Sequence, residues 1–169
     1  TLHACDTATD YALYKAVKWH ASVILSVPCC QHELNQRIQC ETLSGAFQYG
    51  LIRERTAALM TDAMRGQLLE MKGYKTQLLE FIDMEHTPKN ILIRAVKSKG
   101  FLPKAARKQQ EDRYRACRDF FGAELTLEKL FNEMEGETAY EQDYENHTDV
   151  PGLSGGVYCL CLCQQFCFK

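Results

Sequence analysis

The spacing of apolar positions at the start of the chain predicts a helix between two strands. Small apolar side chains recur at helical spacing over residues 8–17, which predicts a helix of about three turns ending near Trp19. Residues 22–27 form an uncharged, partly β-branched run, the composition of a strand buried on both faces of a parallel sheet. An apolar start at Leu2 indicates the tail of an earlier strand. Together these segments predict a βαβ unit with a right-handed crossover.

Further along the chain, the pattern predicts four helices and a pair of strands. A glycine-containing stretch at 43–50 separates the first two helices, and Gly73 ends the second in a left-handed conformation. The strands flank a segment that contains Pro88, which favours an antiparallel hairpin. The predicted helices cover residues 31–41, 51–71, 104–121 and 126–134, and the predicted strands cover residues 76–83 and 90–97.

The resulting order is β-α-β-α-α-β-β followed by helices, which predicts an α/β protein with a parallel sheet finished by an antiparallel hairpin. We divide the chain into three parts on this basis. Residues 1–100 form the sheet-containing domain, residues 101–135 form a helical extension that is basic and then acidic, and residues 136–169 form an irregular, cysteine-rich tail.

Composition narrows the class of protein. The chain has 169 residues, of which 46% are hydrophobic and 25% charged, so it can bury a sizeable core. No apolar run approaches the roughly 20 residues that a membrane span needs, and we expect no membrane partner. The nine cysteines are spread along the chain rather than arranged as a small disulfide framework. We therefore expect a cytoplasmic protein with reduced thiols.

The net charge of −2 hides a marked asymmetry, because a basic segment precedes an acidic one. Two interpretations stay open. The basic side chains can form a face that follows the phosphates of a nucleic acid such as RNA. They can also form a solvated helix face that pairs with the acidic residues after it. The basic residues concerned are Lys104, Arg107, Lys108, Arg113, Arg115 and Arg118.

Candidate chemistry is concentrated directly after the strand at 22–27. Pro28 ends that strand, and Cys29, Cys30 and His32 follow at the carboxyl end, where open α/β sheets bind ligands. A cysteine with a lowered pKa can act as a nucleophile toward a pyrimidine, and either cysteine can instead line an acceptor pocket. Zinc binding by these residues with Cys5 is a weaker alternative, because the side chains of adjacent cysteines diverge. We therefore predict no metal ligands here.

Four more cysteines lie close to the carboxyl terminus. Their C-x-C-x-C-x-x-x-C spacing matches no common zinc finger, although the residue types are those of metal ligands. A cysteine-rich metal-binding protein therefore stays an alternative function. The four residues are Cys159, Cys161, Cys163 and Cys167.

Three motifs carry a family resemblance. LHACDTATD at residues 2–10, SVPCCQHE at 26–33 and EHTPKNILIRAV at 85–96 resemble a bacterial S-adenosylmethionine-dependent methyltransferase family of class I. The resemblance implies the carboxyl-terminal half of a Rossmann-like, seven-stranded sheet that ends in an antiparallel hairpin and is followed by helices. The family's glycine-rich turn and the acidic residue after its second strand have no counterpart in the printed sequence.

The resemblance also implies a cofactor and a set of site residues. S-adenosyl-L-methionine is the implied cofactor, and His3, Ala4 and Cys5 correspond to the loop beside its methyl group. Asp6 follows in that loop and can orient or deprotonate a methyl acceptor, or it can simply cap the next helix. The implied catalytic residues are Asp6, Cys29, Cys30 and His32.

These features lead to two principal function hypotheses. The first is a methyltransferase fragment that transfers a methyl group to an unidentified acceptor, with RNA as one acceptor class. The second is a non-catalytic interaction fragment with the same fold. In either case the sheet edge beside Leu2 is expected to be apolar and unpaired, which favours self-association.

Overall fold

The computed structural model describes residues 5–80, 91–98, 100 and 103–145, with side chains up to residue 135. The element order is α1-β1-α2-α3-α4-β2-β3-α5-α6, and a short 3-10 turn at Glu41–Leu43 precedes the third helix. The helices are α1 (Thr7–Lys18), α2 (His32–Arg37), α3 (Ser44–Phe47), α4 (Gly50–Met71), α5 (Lys104–Phe121) and α6 (Thr126–Glu145). The strands are β1 (Val23–Ser26), β2 (Tyr74–Glu80) and β3 (Ile91–Lys97).

The strands form a three-stranded sheet in the order β1-β3-β2. Tyr74 pairs with Lys97 and Glu80 with Ile91, so β2 and β3 form the predicted antiparallel pair. Their predicted turn lies outside the described residues. β1 also pairs antiparallel with β3, so no parallel pair occurs within the described part of the sheet. The predicted strand at Leu2, which would have supplied the parallel pairing, lies outside the described residues.

The burial of β1 differs from the prediction. Ile24 and Ser26 are buried, but Val23 is 49% and Leu25 53% exposed. Only one face of this strand therefore packs against the core, and the prediction of burial on both faces was wrong. An uncharged run indicates a strand but does not reveal how many layers cover it.

α4 is the central helix of the fold. It packs against β2, α2 and α5, and it contributes Met64, Leu68 and Leu69 to the core. Gly66 faces β2, where a Cβ atom would lie 3.4 Å from the Cγ2 atom of Thr76, at the limit of ordinary van der Waals contact. Gly73 follows the helix with a φ angle of 85°, as predicted from its position.

Several helix limits differ from the predictions. α2 is shorter than the predicted helix at 31–41, and the predicted break at 43–50 contains α3. The helix predicted at 126–134 continues to Glu145, so the irregular segment does not begin at residue 136. The added part lacks an apolar stripe but is rich in glutamate and other good helix formers, which explains the error. None of the described helices is both long and apolar enough to cross a membrane.

Candidate functional site

Two loops meet at the carboxyl end of β1. The first holds Cys5 and Asp6 before α1, and the second holds Cys29 and Cys30 before α2. The Asp6 backbone N–H donates to the Cys30 carbonyl oxygen at 3.2 Å. The Glu33 backbone N–H donates to Asp6 Oδ1 at 2.9 Å. The structure thus brings together residues that the sequence places in two separate motifs.

Asp6 holds an uncommon backbone conformation. Its φ angle is 50°, in the region that non-glycine residues rarely adopt, and its side chain forms no capping hydrogen bond with α1. Its carboxylate instead accepts a hydrogen bond from the first turn of α2. Asp6 therefore occupies the predicted N-cap position of α1, but its side chain does not cap that helix. Strain of about 1–3 kcal/mol at such a residue persists only where the surrounding contacts fix it.

Three thiols form a cluster where the loops meet. Cys5 Sγ lies 3.6 Å from Cys29 Sγ, and the sulfur atoms of Cys5, Cys29 and Cys30 all lie within 4.8 Å of one another. Cys5 is exposed, while the other two are partly buried. None of the described cysteines forms a disulfide bond. The adjacent cysteines therefore converge on a common point, contrary to the expected divergence of their side chains.

The electrostatic environment disfavours a thiolate at Cys29. Burial and then the hydrogen bonds with Cys5 and Cys30 raise the pKa of Cys29 to about 12. Cys29 is therefore protonated at neutral pH, whereas a nucleophilic role required a lowered pKa. The expectation of a lowered pKa was wrong because neighbouring thiols and burial both disfavour a negative charge.

The remaining predicted site residues are placed differently. His32 is the first residue of α2 and is exposed, and it does not belong to the group of three thiols. The zinc alternative therefore loses its histidine and retains Cys5, Cys29 and Cys30. His3 and Ala4 lie outside the described residues, as do Cys159, Cys161, Cys163 and Cys167.

A buried ion-pair network supports the first loop, and sequence analysis missed it. Arg65 is 1% exposed and donates to both carboxylate oxygens of Asp10, at 2.8 and 3.1 Å. It also donates to Asp62 Oδ1 at 3.1 Å and to the backbone oxygen of Asp6 at 3.0 Å. A single guanidinium group therefore connects α1, α4 and the loop that carries Cys5.

Gln31 extends this network to the second loop. Its Nε2 atom donates to Asp62 Oδ2 at 3.0 Å, whereas its buried Oε1 atom has no hydrogen-bond partner. Burial raises the pKa of Asp62 to about 6, although Arg65 and Gln31 both oppose that shift. Burial likewise raises the pKa of Asp10 against the effect of Arg65. The cysteine-bearing loops thus rest on a network that contains titratable carboxyl groups.

One signal for this network was present in the sequence. Asp62 and Arg65 are three residues apart, so they share one face of a helix, and that face also carries the core residue Leu69. A charged pair on the apolar face of a helix was the available indication of a buried partner.

α5 places the predicted basic residues on different sides. Helical spacing puts Lys104, Lys108 and Arg115 on one exposed face, and Arg113 roughly opposite to them. Arg118 Nη1 instead pairs with Glu128 Oε1 of the acidic segment at 2.9 Å. The interpretation of charge pairing thus applies to Arg118, while the first three residues lie on an exposed face that Asp112 and Asp119 border.

Comparison with known proteins gives a partial assignment. Residues 1–37 match the family model described as a methyltransferase domain. This match supports a methyltransferase domain and includes both cysteine-bearing loops, although it covers only 37 of the 169 residues. No curated protein and no solved structure matches the chain. Asp62 and Arg65, which support the two loops, lie outside the matched segment.

Proposed function

We propose that the chain is part of a class I S-adenosylmethionine-dependent methyltransferase and supplies the carboxyl-terminal half of its seven-stranded sheet. One observation carries the proposal. The segment that matches a methyltransferase domain contains both cysteine-bearing loops, and a hydrogen bond from the Asp6 backbone N–H to the Cys30 carbonyl oxygen joins these loops at the carboxyl end of β1. The antiparallel pairing of β2 with β3 is consistent with the hairpin that such a sheet ends in.

The residues of the first loop fit the proposed cofactor chemically. When bound, S-adenosyl-L-methionine supplies a methyl group on a positively charged sulfonium. Cys5 is exposed and Asp6 is only partly buried, so a polarizable sulfur and a carboxylate are both accessible to a cationic group. We assign His3, Ala4 and Cys5 to cofactor binding.

The second loop is assigned to the methyl acceptor. Methyl transfer requires alignment of donor and acceptor, and a base where the acceptor must lose a proton. Asp6 lies between the loops and orients or deprotonates the acceptor, and His32 provides a second, exposed base. Cys29 and Cys30 line the acceptor side, where the raised pKa of Cys29 keeps its thiol protonated.

Calorimetric titration of the purified full chain with S-adenosylhomocysteine tests cofactor binding. We expect saturable binding, and we expect Asp6→Asn to retain it, because an amide oxygen can still accept the hydrogen bond from Glu33. Methyl transfer by the variant should fall by about 10²- to 10⁴-fold if Asp6 acts as a base. Absence of binding by a chain with an intact circular dichroism spectrum would overturn the assignment of the first loop.

We assign RNA as the acceptor class on the basis of α5. Lys104, Lys108 and Arg115 lie on one exposed face of α5, which Asp112 and Asp119 border, and lysine and arginine bind phosphates by charge. We infer that this face follows the backbone of a single-stranded RNA. The proposal does not include Arg118, which pairs with Asp119 and Glu128.

Arg113 provides a matched control for this assignment. Arg115→Gln should weaken binding of a single-stranded RNA and reduce the dependence of log K on log salt by about 0.7, the value for one phosphate contact. Arg113→Gln removes the same charge from the opposite side of α5 and should leave the slope nearly unchanged. Equal effects of the two variants would show that net charge, rather than this face, controls binding.

A further inference from the structure

The three-thiol cluster has the geometry of a metal site. A tetrahedral zinc ion with zinc–sulfur bonds of about 2.3 Å holds its sulfur ligands about 3.8 Å apart. Cys5 Sγ and Cys29 Sγ are 3.6 Å apart, and Cys30 Sγ lies within 4.8 Å of both. Small side-chain rotations are therefore sufficient to bring all three sulfur atoms to ligand distance of one ion.

The backbone around the cluster is held in place by independent contacts. The Asp6 N–H bonds to the Cys30 carbonyl oxygen, and Asp6 Oδ1 accepts a hydrogen bond from the Glu33 N–H. Arg65 donates to the Asp6 backbone oxygen from the buried network. Because both loops are fixed next to their cysteines, ligand convergence does not depend on an unrestrained segment.

We propose that Cys5, Cys29 and Cys30 form a three-thiolate binding site for a thiophilic d¹⁰ cation, with Zn²⁺ as the representative ion. Thiolate sulfur is the ligand type that selects such ions over Mg²⁺ or Ca²⁺. The exposure of Cys5 provides access from solvent. Three protein ligands leave the fourth position of a tetrahedral ion to water or another small ligand.

Zinc binding releases the thiol protons of the cysteine ligands. Each cysteine transfers its thiol proton to solvent as its sulfur–metal bond forms, so one Zn²⁺ releases up to three protons and leaves a complex with one negative charge. No oxidant or reductant takes part.

The inference does not rest on the methyltransferase assignment, because its readout is metal binding rather than methyl transfer. The terminal cysteines must first be eliminated as competing ligands. We therefore use the full-length chain with the substitutions Cys159→Ser, Cys161→Ser, Cys163→Ser and Cys167→Ser as the reference protein. It is purified under reducing conditions and then titrated with Zn²⁺ after removal of the reductant without air.

In this reference protein we expect one bound zinc ion per chain. Adding Cys5→Ser, Cys29→Ser or Cys30→Ser should each lower the affinity at least tenfold. Cys40→Ser and Cys117→Ser serve as matched controls, because both residues are partly buried free thiols outside the cluster. These controls should bind zinc as the reference protein does.

Two further measurements distinguish zinc binding by thiolates from zinc binding by other ligands. Calorimetry in buffers of different ionisation enthalpy should show proton release on zinc binding, and Co²⁺ should give a thiolate-to-metal charge-transfer band that Cys5→Ser abolishes. Circular dichroism identifies any variant that fails to fold, and Cys5→Ser is the decisive variant because Cys5 is exposed.

Three results would overturn the proposal. The first is a folded, reduced reference protein that binds no zinc. The second is zinc binding that Cys5→Ser leaves unchanged, since the ion would then have other ligands. The third is a thiol titration after O₂ is admitted, showing that O₂ oxidises Cys5 and Cys29 to a disulfide, with its own reduction to H₂O₂, even in the presence of zinc, because oxidation rather than metal binding would then be the chemistry of the cluster.

Discussion

The thiol cluster and the Arg65 network adjoin the same residue but differ in their construction. Asp6 bonds to Cys30 through its backbone N–H and to Arg65 through its backbone oxygen. The thiol cluster is partly exposed, and the raised pKa of Cys29 keeps that thiol protonated. The Arg65 network is charged and almost completely buried.

This difference indicates that the thiol cluster provides the chemistry of the site and that the Arg65 network stabilises the loops around it. Neutral thiols tolerate a partly exposed position and can change their protonation when a cation arrives. A buried guanidinium group requires its carboxylate partners, because an unpaired buried charge is strongly destabilising. We therefore expect substitutions in the network to affect folding and substitutions in the thiol cluster to affect ligand binding.

The largest effect is expected at Arg65. Arg65→Met should lower the free energy of unfolding by about 3–5 kcal/mol, because it leaves Asp10 and Asp62 buried without their cation. The free energy of unfolding of Arg65→Lys should lie between those of the wild type and Arg65→Met, since lysine retains the charge but lacks the planar guanidinium group that contacts both oxygens of Asp10. Urea denaturation at neutral pH measures both.

Arg55 on the same helix is the control for this comparison. It is exposed, and Arg55→Met should change the free energy of unfolding by less than about 0.5 kcal/mol. An Arg65→Met variant as stable as Arg55→Met would contradict the view that this network fixes the loops.

A smaller, pH-dependent effect is expected at Asp62. Its pKa of about 6 lies above the ordinary value of 3.8, so the folded state retains a proton that the unfolded state loses in this interval. The stability contributed by Asp62 is thus fully present below pH 4 and is lost as the pH rises through about 6. The side chain of Asp62→Asn cannot titrate, so this variant should remove roughly 2–3 kcal/mol of the change in the free energy of unfolding between pH 4 and pH 7.

The Asn side chain also has a specific partner available. Its amide N–H₂ can donate to the Oε1 atom of Gln31, which has no partner in the wild-type structure, after rotation of the Gln31 amide. Unfolding curves at pH 4, 5, 6 and 7 give the comparison, with exposed Asp112→Asn as the control. Parallel pH profiles for wild type and Asp62→Asn would show that Asp62 has an ordinary pKa in the folded protein.

The smallest effect on folding is expected in the thiol cluster. Without metal, Cys5→Ser should change the free energy of unfolding by less than about 1 kcal/mol, because the side chain is exposed and serine is similar in size. Chemical denaturation in the presence of a metal chelator tests this. A loss as large as that of Arg65→Met would mean that the cluster is part of the folding core, and the proposed division between chemistry and support would then fail.

The sequence by itself determined the elements whose signals are local. The helices predicted at 51–71 and 104–121 correspond closely to α4 and α5, because helical periodicity and the left-handed glycine at Gly73 are properties of short segments. The β2–β3 pairing was also predictable, since two strands joined by a short segment favour a hairpin. The sequence also indicated the position of the site, because Pro28 ends the strand immediately before two cysteines.

Only the tertiary structure decided which distant side chains meet. Arg65 is separated from Asp10 by 55 positions, and Cys5 from Cys29 by 24. Helical period indicates the face on which a residue lies, but it does not identify the element that packs against that face. The partners of Arg65 and the convergence of the thiols depend on how α1, α4 and the loop after β1 pack. Packing buries these polar and charged groups, and a buried polar or charged group must then be paired with a group from a neighbouring element.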